Sequence, residues 1–333
     1  MSTEFKALLV EQPEKKVFNR SIVTRSLDDL PNGNLVVKVH YSSLNFKDAL
    51  SAVGNPGVTR NFPHTPGIDA AGEVISSADG SFQPGDKVIV TSYDLGMETD
   101  GGFGQMIRVP SQWALKLPDG LTLKESMMLG TAGLTAALSV RELVANGVKP
   151  DDGSVLVTGA TGGVGSLAVA ILAKIGFNVT AVTGKMDQED YLKGLGAERA
   201  ISRETLLKGS ERPMLKPTWA GVVDCVGGEM LAAAIKSAKN DGVVTCCGLV
   251  GSIDIPINVF PFILRGVRLI GIDSAECPME RRIQVWQQLG TEWKLDNLTG
   301  IVDEITLTGL EEKIQLMLKG GLKRRALVNL LEN

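Results

Sequence analysis

The stretch Ser154-Val-Leu-Val-Thr-Gly159-Ala-Thr-Gly162-Gly-Val-Gly165 constrains the fold of this chain more than any other. A short β-branched run feeds straight into a glycine-rich turn. The turn opens Ser166–Gly176, where apolar residues recur at helical spacing. Strand, glycine turn and helix in that order form the unit that receives a dinucleotide pyrophosphate. Glycines let the backbone turn tightly and approach phosphates without a Cβ in the way. The helix N-terminus then presents N–H groups and the positive end of its dipole to the anion. A glycine turn alone is a weak signal, so its surroundings decide what it means.

Those surroundings alternate between strand and helix. From Ser154 to Asp273 the strand patterns are Ser154–Thr158, Asn178–Thr183, Arg199–Ile201, Gly221–Val226, Gly242–Cys246 and Arg268–Gly271. The helical patterns are Val164–Ile175, Asp187–Leu195 and Glu229–Ala238. The texture is α/β, a doubly wound parallel sheet of the Rossmann type. Before it the chain is β-rich, with strands predicted at Lys6–Val10, Leu35–Ser42, Asp69–Ile75, Lys87–Val90 and Gly104–Val109. Leu123–Ala145 turns helical. After Pro278 come a helix (Glu280–Leu289), a strand (Asp303–Leu307), a helix (Leu310–Lys319) and a strand (Ala326–Leu330). Three segments follow from this: 1–125, a β-rich domain; 126–274, the nucleotide-binding domain; and 275–333, which rejoins the first.

A chain of 333 residues with 44% hydrophobic content suits a soluble protein of two domains. Its apolar runs are short and interrupted, and the N-terminus lacks a signal pattern, so the expected location is cytoplasmic with no membrane partner. A net charge of −4 with no long basic run points away from nucleic acid. The four cysteines, at 225, 246, 247 and 277, form no C-x-x-C pair and read as small buried hydrophobes. With only two histidines, His40 and His64, no metal centre is expected.

Five further motifs, in order, carry a resemblance. They are Ser43-Leu-Asn45-Phe-Lys47-Asp48, Pro66-Gly-Ile-Asp69-Ala-Ala-Gly72, Gly130-Thr-Ala-Gly133-Leu-Thr-Ala, Pro261-Phe-Ile-Leu-Arg265-Gly-Val-Arg268-Leu and Gly271-Ile-Asp273-Ser274. With the glycine turn they resemble the medium-chain dehydrogenase/reductase superfamily over essentially the full length. The narrower likeness is to its zinc-free quinone oxidoreductase branch, the YhdH/YhfP group, whose members include an NADPH-dependent acrylyl-CoA reductase. The resemblance implies a GroES-like catalytic domain, a Rossmann domain and a homodimer. Zinc-dependent alcohol dehydrogenases of the superfamily carry a cysteine near position 45 and Gly-His-Glu near position 67. Here those places read Asn45 and Gly67-Ile-Asp69, which favours chemistry without a metal.

The turn residues Thr161, Gly162, Gly163 and Val164 are the expected pyrophosphate contacts. NAD-binding folds usually place an acidic residue about 20 positions further on, where it accepts from the ribose 2′-OH. Here that place reads Thr183-Gly184-Lys185, with no carboxylate until Asp187. A hydroxyl, a glycine and a cation suit the 2′-phosphate of NADPH, and Arg203 adds a second charge. The alternative is that Lys185 and Arg203 are solvated surface cations. The resemblance further implies Phe46 and Thr131 near the nicotinamide, and Leu249 and Ile255 along the adenine-to-ribose path. It also places Leu269 and Ser274 near a domain junction, and Arg325 reaching the site from the last strand. Ordinary core packing is the alternative for Leu249, Ile255 and Leu269, and a helix N-cap for Thr131.

The resemblance implies hydride delivery to the β-carbon of a conjugated carbonyl compound, with charge developing on the carbonyl oxygen and a proton reaching the α-carbon. Asn45 is the candidate donor to substrate or cofactor. Asp48 either orients a water or that asparagine, or is a buried carboxylate paired with Lys47 or an arginine. Arg60 and Arg325 are candidates for a CoA phosphate or a carboxylate, with a surface salt bridge the alternative for Arg60; Arg282 and Lys323 are further cations that a CoA thioester's phosphates could meet at a cleft mouth. Three readings follow: an NADPH-dependent reductase of an enoyl-CoA thioester such as acrylyl-CoA, an NADPH:quinone oxidoreductase, and a non-enzymatic NADPH-binding protein.

Overall fold

A computed structural model describes residues 4–332. They divide into two compact units, one within 4–131, 275–291 and 296–332, the other within 132–274 and 292–295.

The first unit opens with β1 (Glu4–Glu14) and β2 (Val17–Ser26), an antiparallel hairpin. β2 has no readable apolar alternation because almost all of it is half-buried or exposed; its pairing with β1 makes it a strand. Next come β3 (Leu35–Ser43), α1 (Phe46–Ala52), β4 (Asp69–Ser77), β5 (Lys87–Thr91), β6 (Met106–Val109) and β7 (Ala114–Lys116). α2 (Leu123–Ala145) follows, broken at Gly130 with φ 55° and ψ −158°. By length and composition α2 could cross a membrane, contrary to the reading of short apolar runs. However, 78% of its most apolar window is buried inside the protein, as for a core helix.

The second unit holds β8 (Val155–Val157), α3 (Gly163–Lys174), β9 (Val179–Thr183), α4 (Glu189–Gly194), β10 (Arg199–Ser202) and α5 (Arg203–Leu207). They are followed by β11 (Trp219–Asp224), α6 (Gly228–Lys236), β12 (Ala238–Cys246), α7 (Phe260–Arg265) and β13 (Arg268–Gly271). The strands form one sheet in the order β10-β9-β8-β11-β12-β13, all parallel. Leu156, Val222 and Val244 from three of its central strands pack with Leu231 and Ile235 of α6. The order reverses between β8 and β11, where a doubly wound sheet opens its ligand crevice.

The chain ends with α8 (Met279–Gly290), β14 (Val302–Ile305), α9 (Leu310–Leu318) and β15 (Arg325–Asn329). β15 pairs with β3, and the first unit's larger sheet runs β14-β15-β3-β4-β5-β7, with β6 also on β3. Alternate residues Val37, Val39, Ala70, Val74, Val88 and Val90 form its core with Leu310 and Ile314 of α9.

Candidate active site

Asp69, the first residue of β4, organises the polar centre of the first unit. Its carboxylate accepts from Ser43 Oγ at 2.5 Å and from Asn45 Nδ2 at 2.7 Å. It also accepts from Thr131, through the backbone N–H at 3.0 Å and Oγ1 at 2.6 Å. The break at Gly130 takes Thr131 out of the preceding helical ladder. A negative group then satisfies its amide where a new helical run begins. The break needs glycine twice over. Its φ is positive, and a Cβ there would overlap the Asp69 carboxylate and the Ser43 hydroxyl.

Arg325 joins from β15. Its Nη2 donates to Ser43 Oγ at 3.1 Å and its Nε to the Met128 carbonyl at 2.9 Å. Ser43 therefore accepts from a guanidinium and donates to a carboxylate, which couples the two charges. Ser92 Oγ lies 2.9 Å from Thr131 Oγ1. The one hydroxyl hydrogen of Thr131 goes to Asp69, so Ser92 is the donor.

This network changes the role expected of Asn45. Asp69 only accepts, so it fixes the amide nitrogen toward itself. The second amide hydrogen goes to the Ser43 carbonyl at 3.2 Å. The donor expected at Asn45 is thus turned inward, and its carbonyl end makes it an acceptor. Asp48 supports Asn45 from below, as the third residue of α1. Its Oδ2 accepts the Asn45 backbone N–H at 2.7 Å and its Oδ1 that of Ile68 at 2.8 Å. The carboxylate is fully buried, but it is held by backbone amides rather than by Lys47 or an arginine. Phe46, beside it, is 44% exposed.

Burial, then the charge of Asp69, pushes the Asp48 carboxyl up to about 7. The ionised form accepts both amides most strongly, because the bonds are then charge-assisted. Below pH 7 a proton weakens the bond at the oxygen that takes it and loosens Asn45, so kcat should fall with an acid limb near that pH. Stability runs the other way. A carboxyl whose pKa is raised in the folded state favours folding below its ordinary range and loses that contribution as pH rises through 7. Asp48→Asn should remove the acid limb from the pH–rate profile. An unchanged limb would show that another group titrates.

Arg282 does not serve as a phosphate contact. It is buried, donating to Thr91 and the Ala275 carbonyl, with its guanidinium 4.3 Å from the Tyr93 ring centroid. Apolar neighbours on α8 carry it into the core, as Val285 and Trp286 are also fully buried. Arg60 and Lys323 are exposed.

In the second unit the candidates gather at the carboxyl ends of the parallel strands. Thr161, Gly162, Gly163 and Val164 form the turn and first residues of α3. Thr161 Oγ1 lies 3.3 Å from Thr183 Oγ1, which accepts the Lys185 N–H at 2.9 Å. Arg203, at the start of α5, lies against Gly184, where a Cβ would stand 2.8 Å from its Nε. Gly184 thus leaves the space that brings Arg203 beside Thr183 and Lys185. Across the switch point Thr158 Oγ1 donates to Asp224 at 2.6 Å, and Asp224 accepts the Gly227 N–H at 2.8 Å. Burial pushes the Asp224 carboxyl upward.

A cleft of about 550 Å³ lies beside this point. Its walls include Leu249, Ile255, Cys246, Cys247, Gly271 and Asp273. Leu249 is 66% exposed, so it is not core. Leu269 stands apart from these walls on β13, partly exposed, and Ser274 Oγ accepts from Thr135 at 2.7 Å. Three cysteines are not the buried hydrophobes expected: Cys225, Cys246 and Cys247 are half-buried, and the last two sit where β12 ends and face the cleft. Among the described residues no group of three His, Cys, Asp or Glu could hold a metal ion.

The fold and these centres define a nicotinamide-dehydrogenase class of protein. Residues 31–119 match the alcohol dehydrogenase GroES-like domain, and residues 163–292 match the zinc-binding dehydrogenase family. The chain is 46% identical to the putative quinone oxidoreductase YhfP of Bacillus subtilis, over 99% of this chain and 100% of that one. The crystal structure of YhfP with NAD bound agrees at a TM-score of 0.96. Acrylyl-CoA reductase AcuI of Ruegeria pomeroyi is 41% identical, over 98% of this chain and 99% of its own. The yhdH oxidoreductase of Salmonella enterica, solved in complex with NADP, is 40% identical with a TM-score of 0.94, over 97% and 99% of the two chains. The chain therefore belongs to the medium-chain dehydrogenase/reductase family, in the group that contains YhfP and AcuI.

Ser43 and Asp69 are the site residues that sequence reasoning passed over. Asp69 entered only as the place of a missing zinc ligand. One signal pointed to it, a carboxylate heading a strand that opens Asp69-Ala-Ala-Gly72, and Gly130 inside a helical pattern was another.

Proposed function

We propose that this protein is an NADPH-dependent reductase of an activated carbon–carbon double bond, with acrylyl-CoA as substrate and propionyl-CoA as product. The observation that carries the reading is the bond between Asn45 and Asp69. Asn45 stands at the cysteine place of the zinc-dependent relatives, Ile68 and Asp69 at the His and Glu of their Gly-His-Glu, and here Asn45 and Asp69 bond to each other. Hydride transfer then proceeds without a metal.

NADPH would supply the hydride. Thr161, Gly162, Gly163 and Val164 would hold its pyrophosphate through backbone N–H groups. Thr183, Gly184, Lys185 and Arg203 would hold the 2′-phosphate, in the space that Gly184 keeps open. Leu249 and Ile255 would line its path in the cleft. Phe46, Thr131, Leu269, Ser274 and Arg325 are assigned to it by resemblance. Arg325 and Thr131 act through Ser43 and Asp69 on the position of Asn45. Asn45 accepts a hydrogen bond from the cofactor's carboxamide or from a water that delivers the α-proton. Asp48 is a positioning residue that fixes the backbone of Asn45.

NADPH oxidation should be fastest with acryloyl-CoA when compared with crotonoyl-CoA and a naphthoquinone. The relative named as a putative quinone oxidoreductase favours a second reading, reduction of small quinones. Faster turnover of the quinone would select it. NADPH binding without turnover of any electrophile would leave a non-enzymatic binding protein.

We also infer a homodimer built on β13. This strand ends its sheet and so offers an unpaired edge. Beside it on α7, Ile263 and Leu264 are 68% and 64% exposed, an apolar surface suited to a second copy. Ile263→Asp should shift the protein to monomer in sedimentation. A dimer unaffected by that change would place the interface elsewhere.

A further inference from the structure

We infer that Cys225 and Cys247 form a dithiol site at the cleft of the second unit, which a peroxide closes to a disulfide. The two residues follow directly on β11 and β12, whose last paired residues are Asp224 and Cys246. The ladder continues one step further, with the Cys247 N–H donating to the Asp224 carbonyl at 3.0 Å. Neighbouring strands lie about 4.8 Å apart. That spacing falls within the Cα separation of about 4.4–6.8 Å that a disulfide spans.

The side chains already face each other. Cys247 Sγ lies 3.9 Å from Cys225 Sγ and donates its one thiol hydrogen to the Asp224 carbonyl at 3.3 Å. Closing this gap to the roughly 2 Å of an S–S bond requires the two sulfurs to move toward each other. The chain beyond them is equally close. A Cβ on Gly248 would overlap the backbone of Cys225, so this glycine lets the two strand ends converge. Cys246 points elsewhere, its Sγ 3.9 Å from the Gly248 carbonyl.

The two sulfurs differ in access. Cys247 is on the cleft wall, whereas Cys225 is not among the cleft's lining residues. Its hydrogen bond with Cys247, together with burial, holds the Cys225 thiol well above its ordinary range. Cys247 therefore meets the oxidant. Hydrogen peroxide converts its thiol to a sulfenic acid and leaves as water. The Cys225 sulfur then attacks the Cys247 sulfur, the S–O bond breaks, and the hydroxyl departs with the Cys225 proton as a second water. Two thiols lose two electrons and one peroxide gains them. A reducing thiol reverses the step.

The bridge would tie the ends of β11 and β12 at the point where Leu249 and Ile255 begin to line the cleft. Bound NADPH should then shield Cys247, an expectation that rests on reading this cleft as the cofactor's; the dithiol itself does not.

The full-length enzyme treated with stoichiometric hydrogen peroxide should lose the mass of two hydrogens. Two of its four thiols should disappear and return with dithiothreitol. Peptide mapping should find the Cys225–Cys247 link. Cys225→Ser and Cys247→Ser should each abolish it, while Cys246→Ser retains it. A link through Cys246, a link between chains, or oxygen addition without a link would overturn the proposal. Saturating NADPH should slow the reaction. A link that forms at the same rate with NADPH present would keep the dithiol and overturn the coupling to the cofactor site.

Discussion

Asp69→Asn should lower kcat/KM for acryloyl-CoA by about 10²–10³-fold, the scale of losing a preorganised polar group. The partners of this carboxylate are donors: Ser43, Asn45 and both groups of Thr131. An amide in its place turns an NH2 group toward at least one of them. The buried donors would then face a donor, at about 1–3 kcal/mol each. The Asn45 amide would also lose the acceptor that fixes its orientation. Steady-state kinetics should show the loss mainly in kcat, with a lowered melting temperature. Asn45→Ala separates the two effects. It leaves Asp69 bound to Ser43 and Thr131, so it should lose activity with a smaller loss of stability. Equal melting losses with little change in kcat would make the cluster a structural device only.

The second large effect concerns cofactor choice. Lys185→Glu combined with Arg203→Glu should reduce the ratio of kcat/KM for NADPH over NADH by about 10²–10³-fold. Each charge-assisted contact with the 2′-phosphate contributes about 1.5–3 kcal/mol, and NADH makes neither. Lys185→Glu alone should raise the KM for NADPH far more than that for NADH. Equal changes for both cofactors would mean that the two cations are solvated surface charges. Gly184 offers an independent check. Its alanine variant places a Cβ against Arg203 and should weaken NADPH binding while leaving NADH binding nearly unchanged.

Much of this fold was legible because it is local. The six parallel strands of the second unit are short β-branched runs separated by helical spacing, and each was readable in place. β2 was not, since its residues alternate without an apolar face and its pairing with β1 defines it. α1, α5 and α7, of seven, five and six residues, showed no helical pattern in the chain, whereas the equally short α4 did. The site divides in the same way. The group of Thr183, Gly184 and Lys185 is contiguous, and its chemistry could be read from the chain. The Asp69 cluster draws Ser43, Thr131 and Arg325 from separate strands and a helix break, and no local pattern links them. The inward turn of the Asn45 amide follows from which neighbour accepts and which donates, and this is visible only once Asp69 is beside it.

The central claim is hydride delivery to the β-carbon of a conjugated thioester. It is tested most directly with NADPH deuterated at C4, each stereoisomer used in turn with acryloyl-CoA. One isomer should yield propionyl-CoA with a single deuterium at the β-carbon and a solvent hydrogen at the α-carbon. Deuterium at the α-carbon, or label lost to solvent with both isomers, would contradict the account, as would the absence of propionyl-CoA.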